Sequence, residues 1–243
     1  MEKEKYTVKF AETKAEKDAT FALRYRDMLL EYRADATCED GLDITPCDAY
    51  AKQVICLDND TGEVVGCYRI VTSDELPCGE KFVCEEEFDI TALKNTGERI
   101  AELSRAVIKK EYRNSVVLML LLRFIVQYLR GENIRFIIGE ASFFGTDKTT
   151  YQKELSYLAH SYSITGYEIR SREEKQVPIL PKESLDLAGI KRSLPPLIRA
   201  YLGFGALVSA ESFTDWEFGS VDVFILLDSA NYNEAYINRL LRL

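Results

Sequence analysis

Histidine is nearly missing from this 243-residue chain: the one present, His160, lies in LAHSYS with no nucleophile-elbow motif around it. Catalysis by a serine or cysteine beside a histidine base is thereby disfavoured. GxGxxG and GxxxxGK[ST] are absent as well, and GFG at 203–205 is too short to replace either phosphate cradle. The six cysteines (Cys38, Cys47, Cys56, Cys67, Cys78, Cys84) include no CxxC pair, so they read as free thiols in a reducing compartment. No zinc site follows from them, and no metal site is expected.

Only 13 Gly and 6 Pro punctuate the chain, which argues against disorder. No apolar run reaches the roughly 20 residues of a membrane span; the richest, 116–122, is broken by Arg123 and reads as a buried helix. The first 20 residues carry no signal-peptide pattern, so a cytoplasmic location is expected. A net charge of −9 disfavours a broad contact with nucleic-acid phosphates.

What the chain does have is apolar content of 47%, with 14 Tyr and 12 Phe, enough for a packed core. Residues 1–17 read as an N-terminal extension and 18–243 as one mixed α/β domain. Apolar spacing places a first helix over 18–34, with Asp18 or Thr20 as its cap. An irregular acidic stretch, 35–48, precedes YAKQVICLDNDTGEVVGCYRIV, a β-hairpin turning around Asn59, Asp60 and Gly62. RIAELSRAVIKKEYR alternates as a strand and runs into a helix ending near Gly131. NIRFIIGEASF follows as a central strand, which makes a βαβ crossover with parallel neighbours. Helical pattern then resumes from 147, with a short helix within 194–208 opened by Pro195 and Pro196 and closed by Gly203 or Gly205, and a last strand at 220–228.

Charged residues stand where core-facing positions usually exclude them: Arg24, Arg26, Arg69, Glu102 and Arg105. Glu102 and Arg105, three apart in ELSR, cannot share one face of a regular strand, so a bulge is needed or one of them points outward.

In this order, LRYR on a helix, an acidic loop ending in CDAY, VVGCYRI, EEEFD, ELSR, the YR turn, EASFFGTD, PPLIRAYLGFGALV and DWEFGSVDVFILL resemble the ornithine N-acyltransferases of ornithine-lipid synthesis. That family is similar to the acyl-homoserine lactone synthases and shares their GNAT fold. The resemblance implies a mostly antiparallel sheet with a central parallel βαβ unit and flanking helices. It implies transfer of a fatty acyl group from an acyl carrier protein thioester to the α-amine of ornithine or a similar amino acid. No tightly bound cofactor is implied; the phosphopantetheine thioester is a co-substrate, with acyl-CoA as the other donor. A peripheral membrane contact through the lipid product is also implied.

Glu102 matches the family's amine-site acid, with Arg105 beside it. Arg24, Arg69 and Arg105 either hold the amino-acid carboxylate or pair with Asp43 and Asp48 to lock the acidic loop over the site. Tyr112, Arg113, Asn114 and Ser115 form the turn that would meet the donor phosphate. Where relatives with coenzyme A place glycines, this turn has Val116 and Leu118, which favours a single phosphopantetheine phosphate over a bulkier diphosphate. Lys109, Lys110 and Arg113 could meet an acidic carrier helix. Other readings are a lactone-synthase-like enzyme with another amine acceptor, and a non-catalytic acyl-binding module.

Overall fold

The structure is a computed structural model and describes residues 4–113 and 115–242. In chain order its elements are β1 (Tyr6–Phe10), α1 (Lys14–Arg24), α2 (Leu30–Tyr32), β2 (Lys52–Asp58), β3 (Val64–Thr72), β4 (Phe88–Asp89), α3 (Thr91–Lys94), β5 (Ile100–Ile108), α4 (Val117–Gly131), β6 (Phe136–Phe144), α5 (Gln152–Tyr162), β7 (Arg170–Ser171), α6 (Leu187–Ser193), α7 (Pro196–Phe204), β8 (Leu207–Asp215), β9 (Ser220–Asp228) and α8 (Glu234–Leu240). The fold is mixed α/β, with mostly antiparallel strands and flanking helices. It comprises two compact units, one from the described residues of 1–80, 101–133 and 240–243, the other from 81–100 and 134–239.

In the first unit, β1, β2, β3 and β5 lie side by side, each antiparallel to the next. The expected hairpin is β2 and β3, closed by Gly62 at φ +73° and by the Asp60 amide donating to Asp58 Oδ1 at 2.9 Å. Every residue of β3 is buried, because helices cover both faces of this strand. On one face stands Gly66, where an added Cβ would meet Val117 and Leu121 of α4 at 2.8 and 3.0 Å. By alternation Cys67, Arg69 and Val71 face the other way, toward α1.

The N-terminal segment differs from expectation. β1 lies within the supposed extension, and α1 begins at Lys14 rather than 18, because Thr13 and Glu16 form a capping box. Thr20 does not cap; its hydroxyl donates to the Glu16 carbonyl at 2.8 Å, and Asp18 pairs with Lys14. After Arg24 the helix widens into a π turn over Tyr25–Leu29 before its last turn, α2.

The second unit holds β6, β9 and β8, antiparallel in that order, with a small β4–β7 pair. Here α7 starts on Pro196 and stops at Phe204, closed as expected by Gly205, which takes φ +99°. Strand β8 opens two residues later, at Leu207.

Candidate active site

Arg24, the last residue of α1, is fully buried in the first unit. Its Nε donates to Asp43 Oδ2 at 2.8 Å, and its Nη1 and Nη2 grip the two oxygens of Asp48 at 2.8 and 3.0 Å. Asp48 also accepts from the Thr45 amide (2.8 Å), the Thr45 hydroxyl (3.0 Å) and Gln53 Nε2 (2.9 Å). Thr45 and Asp48 cap a 3₁₀ turn, Pro46–Ala49, whose first residue is proline, so local sequence presents the carboxylate to the arginine. Burial pushes the Asp48 carboxyl up, but the Arg24 bond, the charges of Arg24 and Arg69 and the Thr45 amide win and hold it at about 2. Arg24 is thus paired with both Asp43 and Asp48. Arg26 lies outside the cluster, exposed and bonded to Asp27.

Arg69 on β3 is also fully buried. Its Nε donates to Ser104 Oγ at 2.9 Å and its Nη1 to Thr45 Oγ1 at 2.7 Å, while Nη2 is buried with no hydrogen-bond partner among the described residues. Ser104 is its neighbour across the ladder, and Glu102, two residues back on β5 and 1% exposed, lies on the same face.

Of the two alternatives left open for ELSR, a bulge is present. Arg69 pairs with Ser104 but Cys67 with Val107, so β5 carries one extra residue there. Arg105 takes φ +53° in the left-handed region, an uncommon conformation for a residue with a side chain. Its side chain keeps 25% exposure and its Nε lies 3.2 Å from Asp43 Oδ2. Burial and the nearby Arg69 pull the Arg105 pKa down, against the pull of Asp43.

The turn before α4 is engaged internally. Tyr112 donates to Asp58 Oδ2 at 3.0 Å, Ser115 Oγ accepts from the Val117 amide at 3.2 Å, and Asn114 lies outside the described residues. Arg113 fixes both oxygens of Glu31 and donates to the Asp27 carbonyl at 2.7 Å. Lys109 pairs with Glu63 at 2.7 Å, whereas Lys110 has an exposed side chain.

Cys67, beside the cluster, is a poor nucleophile, since burial pushes its thiol up to about 12. Sequence reasoning missed Thr45, Gln53 and Ser104, uncharged residues with no signal in composition or period. It also missed four acids of the second unit, Glu87, Glu140, Asp215 and Asp222. Burial and then repulsion from Asp222 and Asp215 push Glu87 up to about 9, and burial pushes Asp222 up to about 6.

A family model for an acetyltransferase (GNAT) domain matches residues 23–123, a stretch that holds all of the arginine cluster. The L-ornithine N(alpha)-acyltransferase of Rhodobacter capsulatus is 29% identical over 240 residues, 95% of this chain and 93% of that protein. The enzyme of the same name from Brucella abortus is 30% identical over 181 residues, 72% of this chain and 64% of that one. Among solved structures, the AHL synthase LasI superposes with a TM-score of 0.49 at 14% identity, over 91% of this chain and 89% of that chain.

Proposed function

Because a GNAT acetyltransferase domain model matches residues 23–123 and the chain is similar along most of its length to L-ornithine N(alpha)-acyltransferases, we propose that it moves a fatty acyl group from an acyl carrier protein thioester to the α-amine of ornithine or a similar small amino acid. The observation that carries this reading is the unspent Nη2 donor of buried Arg69, on the face of the sheet that also bears Glu102. A buried guanidinium donor without an acceptor is costly, and an amino-acid carboxylate would satisfy it. The same molecule would then bring its α-amine toward Glu102.

In this mechanism Glu102 takes a proton from the α-ammonium, directly or through water, which frees the nitrogen lone pair. The amine attacks the thioester carbonyl, and backbone amides of the bulged strand β5 stabilise the oxygen that gains the negative charge. The C–S bond then breaks, the carrier leaves as thiolate, and the second proton shed by the attacking nitrogen passes to that thiolate or to solvent, leaving the neutral amide. No acyl-enzyme is needed, in keeping with the protonated Cys67. Arg24 acts at one remove, holding Asp43 and Asp48 where they position Arg105 and Arg69.

Val116 is 52% exposed at the entrance to α4, and with Leu118 it crowds the approach of a nucleotide diphosphate. That supports the single phosphate of a carrier-bound phosphopantetheine, with exposed Lys110 offered to an acidic carrier surface. The test is to incubate the protein with long-chain acyl carrier protein, or acyl-CoA, and a mixture of amino acids, then identify the product by mass. An N-acyl ornithine formed from the carrier donor is expected. Turnover from acyl-CoA alone overturns the donor assignment, another acylated amine overturns the acceptor, and carrier binding with no release of thiol replaces the enzyme by an acyl-binding module.

A further inference from the structure

We propose that Glu87, Asp215 and Asp222, in the second unit, form a binding site for a hard divalent cation of the magnesium or calcium class. The three residues come from separate elements. Asp222 lies on β9 opposite Ser142 of β6, Asp215 ends β8 where the ladder meets Ser220, and Glu87 immediately precedes β4. One oxygen from each falls within 4.8 Å of the others. Oxygens that share a cation at about 2.0 to 2.6 Å must lie within about 5 Å of one another, so the three need not move far to ligate.

Two further observations separate this group from an ordinary acidic surface. Asp222 keeps only 3% exposure and Glu87 only 9%, yet Asp222 Oδ1 and Glu87 Oε2 are buried with no hydrogen-bond partner among the described residues. Their remaining bonds go to small or acidic neighbours: Ser220 Oγ donates to Asp222 Oδ2 at 2.6 Å, Ser142 also bonds with Asp222, and Glu87 bonds with Glu140. Nor does a basic side chain pair with Glu87, Asp215 or Asp222 among the described residues. Burying several carboxylates without a positive charge is expensive, and a divalent ion would neutralise them and fill both orphan oxygens. Donors that are all oxygen, with no imidazole or thiolate, select hard cations over zinc or copper. Such a site is not legible in the sequence, because its members lie at 87, 215 and 222, without the spacing of any short metal motif.

The full chain, stripped with a chelator, would be titrated with calcium, magnesium and manganese separately, followed by calorimetry and by thermal melting. Saturable binding of one ion per chain is expected for at least one of them, with a rise in Tm of several degrees at saturation. Asp222→Asn and Glu87→Gln, near-isosteric changes whose folding is checked by circular dichroism, should each weaken that binding at least 10-fold. The wild-type titration decides the matter even if a variant fails to fold. No saturable binding up to about 10 mM, beyond the weakest range of oxygen-ligated calcium sites, overturns the proposal. So does unchanged binding in both folded variants, or displacement of the ion by an amino-acid amine at low concentration, which would assign the acids to an ammonium group instead.

Discussion

Glu102 and Arg69 divide the proposed chemistry between an acid that accepts a proton and a cation that holds a carboxylate, and each can be tested apart from the other. Glu102→Gln keeps the volume of the side chain but removes its basicity, so kcat/KM should fall by roughly 100-fold or more, within the usual worth of a general base. A folded Glu102→Gln protein with near-normal turnover would sink the assignment. Arg69→Lys keeps the charge but loses the planar fork, so it cannot bond Ser104, Thr45 and a substrate together. Its expected signature is a KM for the amino acid raised by about 10-fold with a smaller change in kcat, read by steady-state kinetics. A fall in kcat with KM unchanged would instead make Arg69 a support for Glu102. At this scale the charged members were legible in the sequence, since arginine and glutamate inside apolar periods stand out. Thr45, Gln53 and Ser104 were not, because an uncharged polar residue shows its role only when its partner arrives from another segment.

Among elements, β3 and β5 set the site, and both depend on departures from regularity. The β5 bulge turns Arg105 toward Asp43 while Glu102 keeps the face of Arg69, which satisfies the spacing that a flat strand forbids. The spacing of ELSR was enough to ask for a bulge or an outward-pointing side chain; which of the two, and which residue would take the left-handed conformation, was not readable from it. Gly66 of β3 matters for a different reason, its lack of a side chain where α4 comes close. Gly66→Ala would push a methyl to 2.8 Å from Val117 Cγ1 and 3.0 Å from Leu121 Cδ1. We expect a loss of about 1 to 3 kcal/mol in urea denaturation, the usual cost of overpacking, and an unchanged midpoint would show that α4 can retreat. Long apolar or alternating segments such as α4, β3 and β9 were legible. β1 and α8 were not, since five and seven residues carry too little pattern to be separated from loop.

For the whole molecule, the buried Asp48 ties stability to pH. Its carboxyl titrates at about 2 in the fold, against 3.8 ordinarily, so its contribution is complete above the ordinary value and disappears as pH falls toward 2. That one group accounts for roughly 2 kcal/mol at neutral pH. Acid titration followed by circular dichroism should show wild type losing stability between about pH 4 and pH 2. Asp48→Asn should start less stable and lose less over that interval; parallel acid curves for the two proteins would remove Asp48 as the cause. The four side chains on this carboxylate come from positions 24, 45, 53 and 69, so Asp48 joins parts of the chain that secondary structure leaves apart. A protease would therefore meet a knot rather than a tether. Ala34, Asp35, Thr37, Glu39 and Asp40 are exposed, and trypsin should cut after Arg33. The fragments 1–33 and 34–243 should still elute together from a sizing column under native conditions, held by the Arg24–Asp48 pair and by β1 on β2, and part in urea.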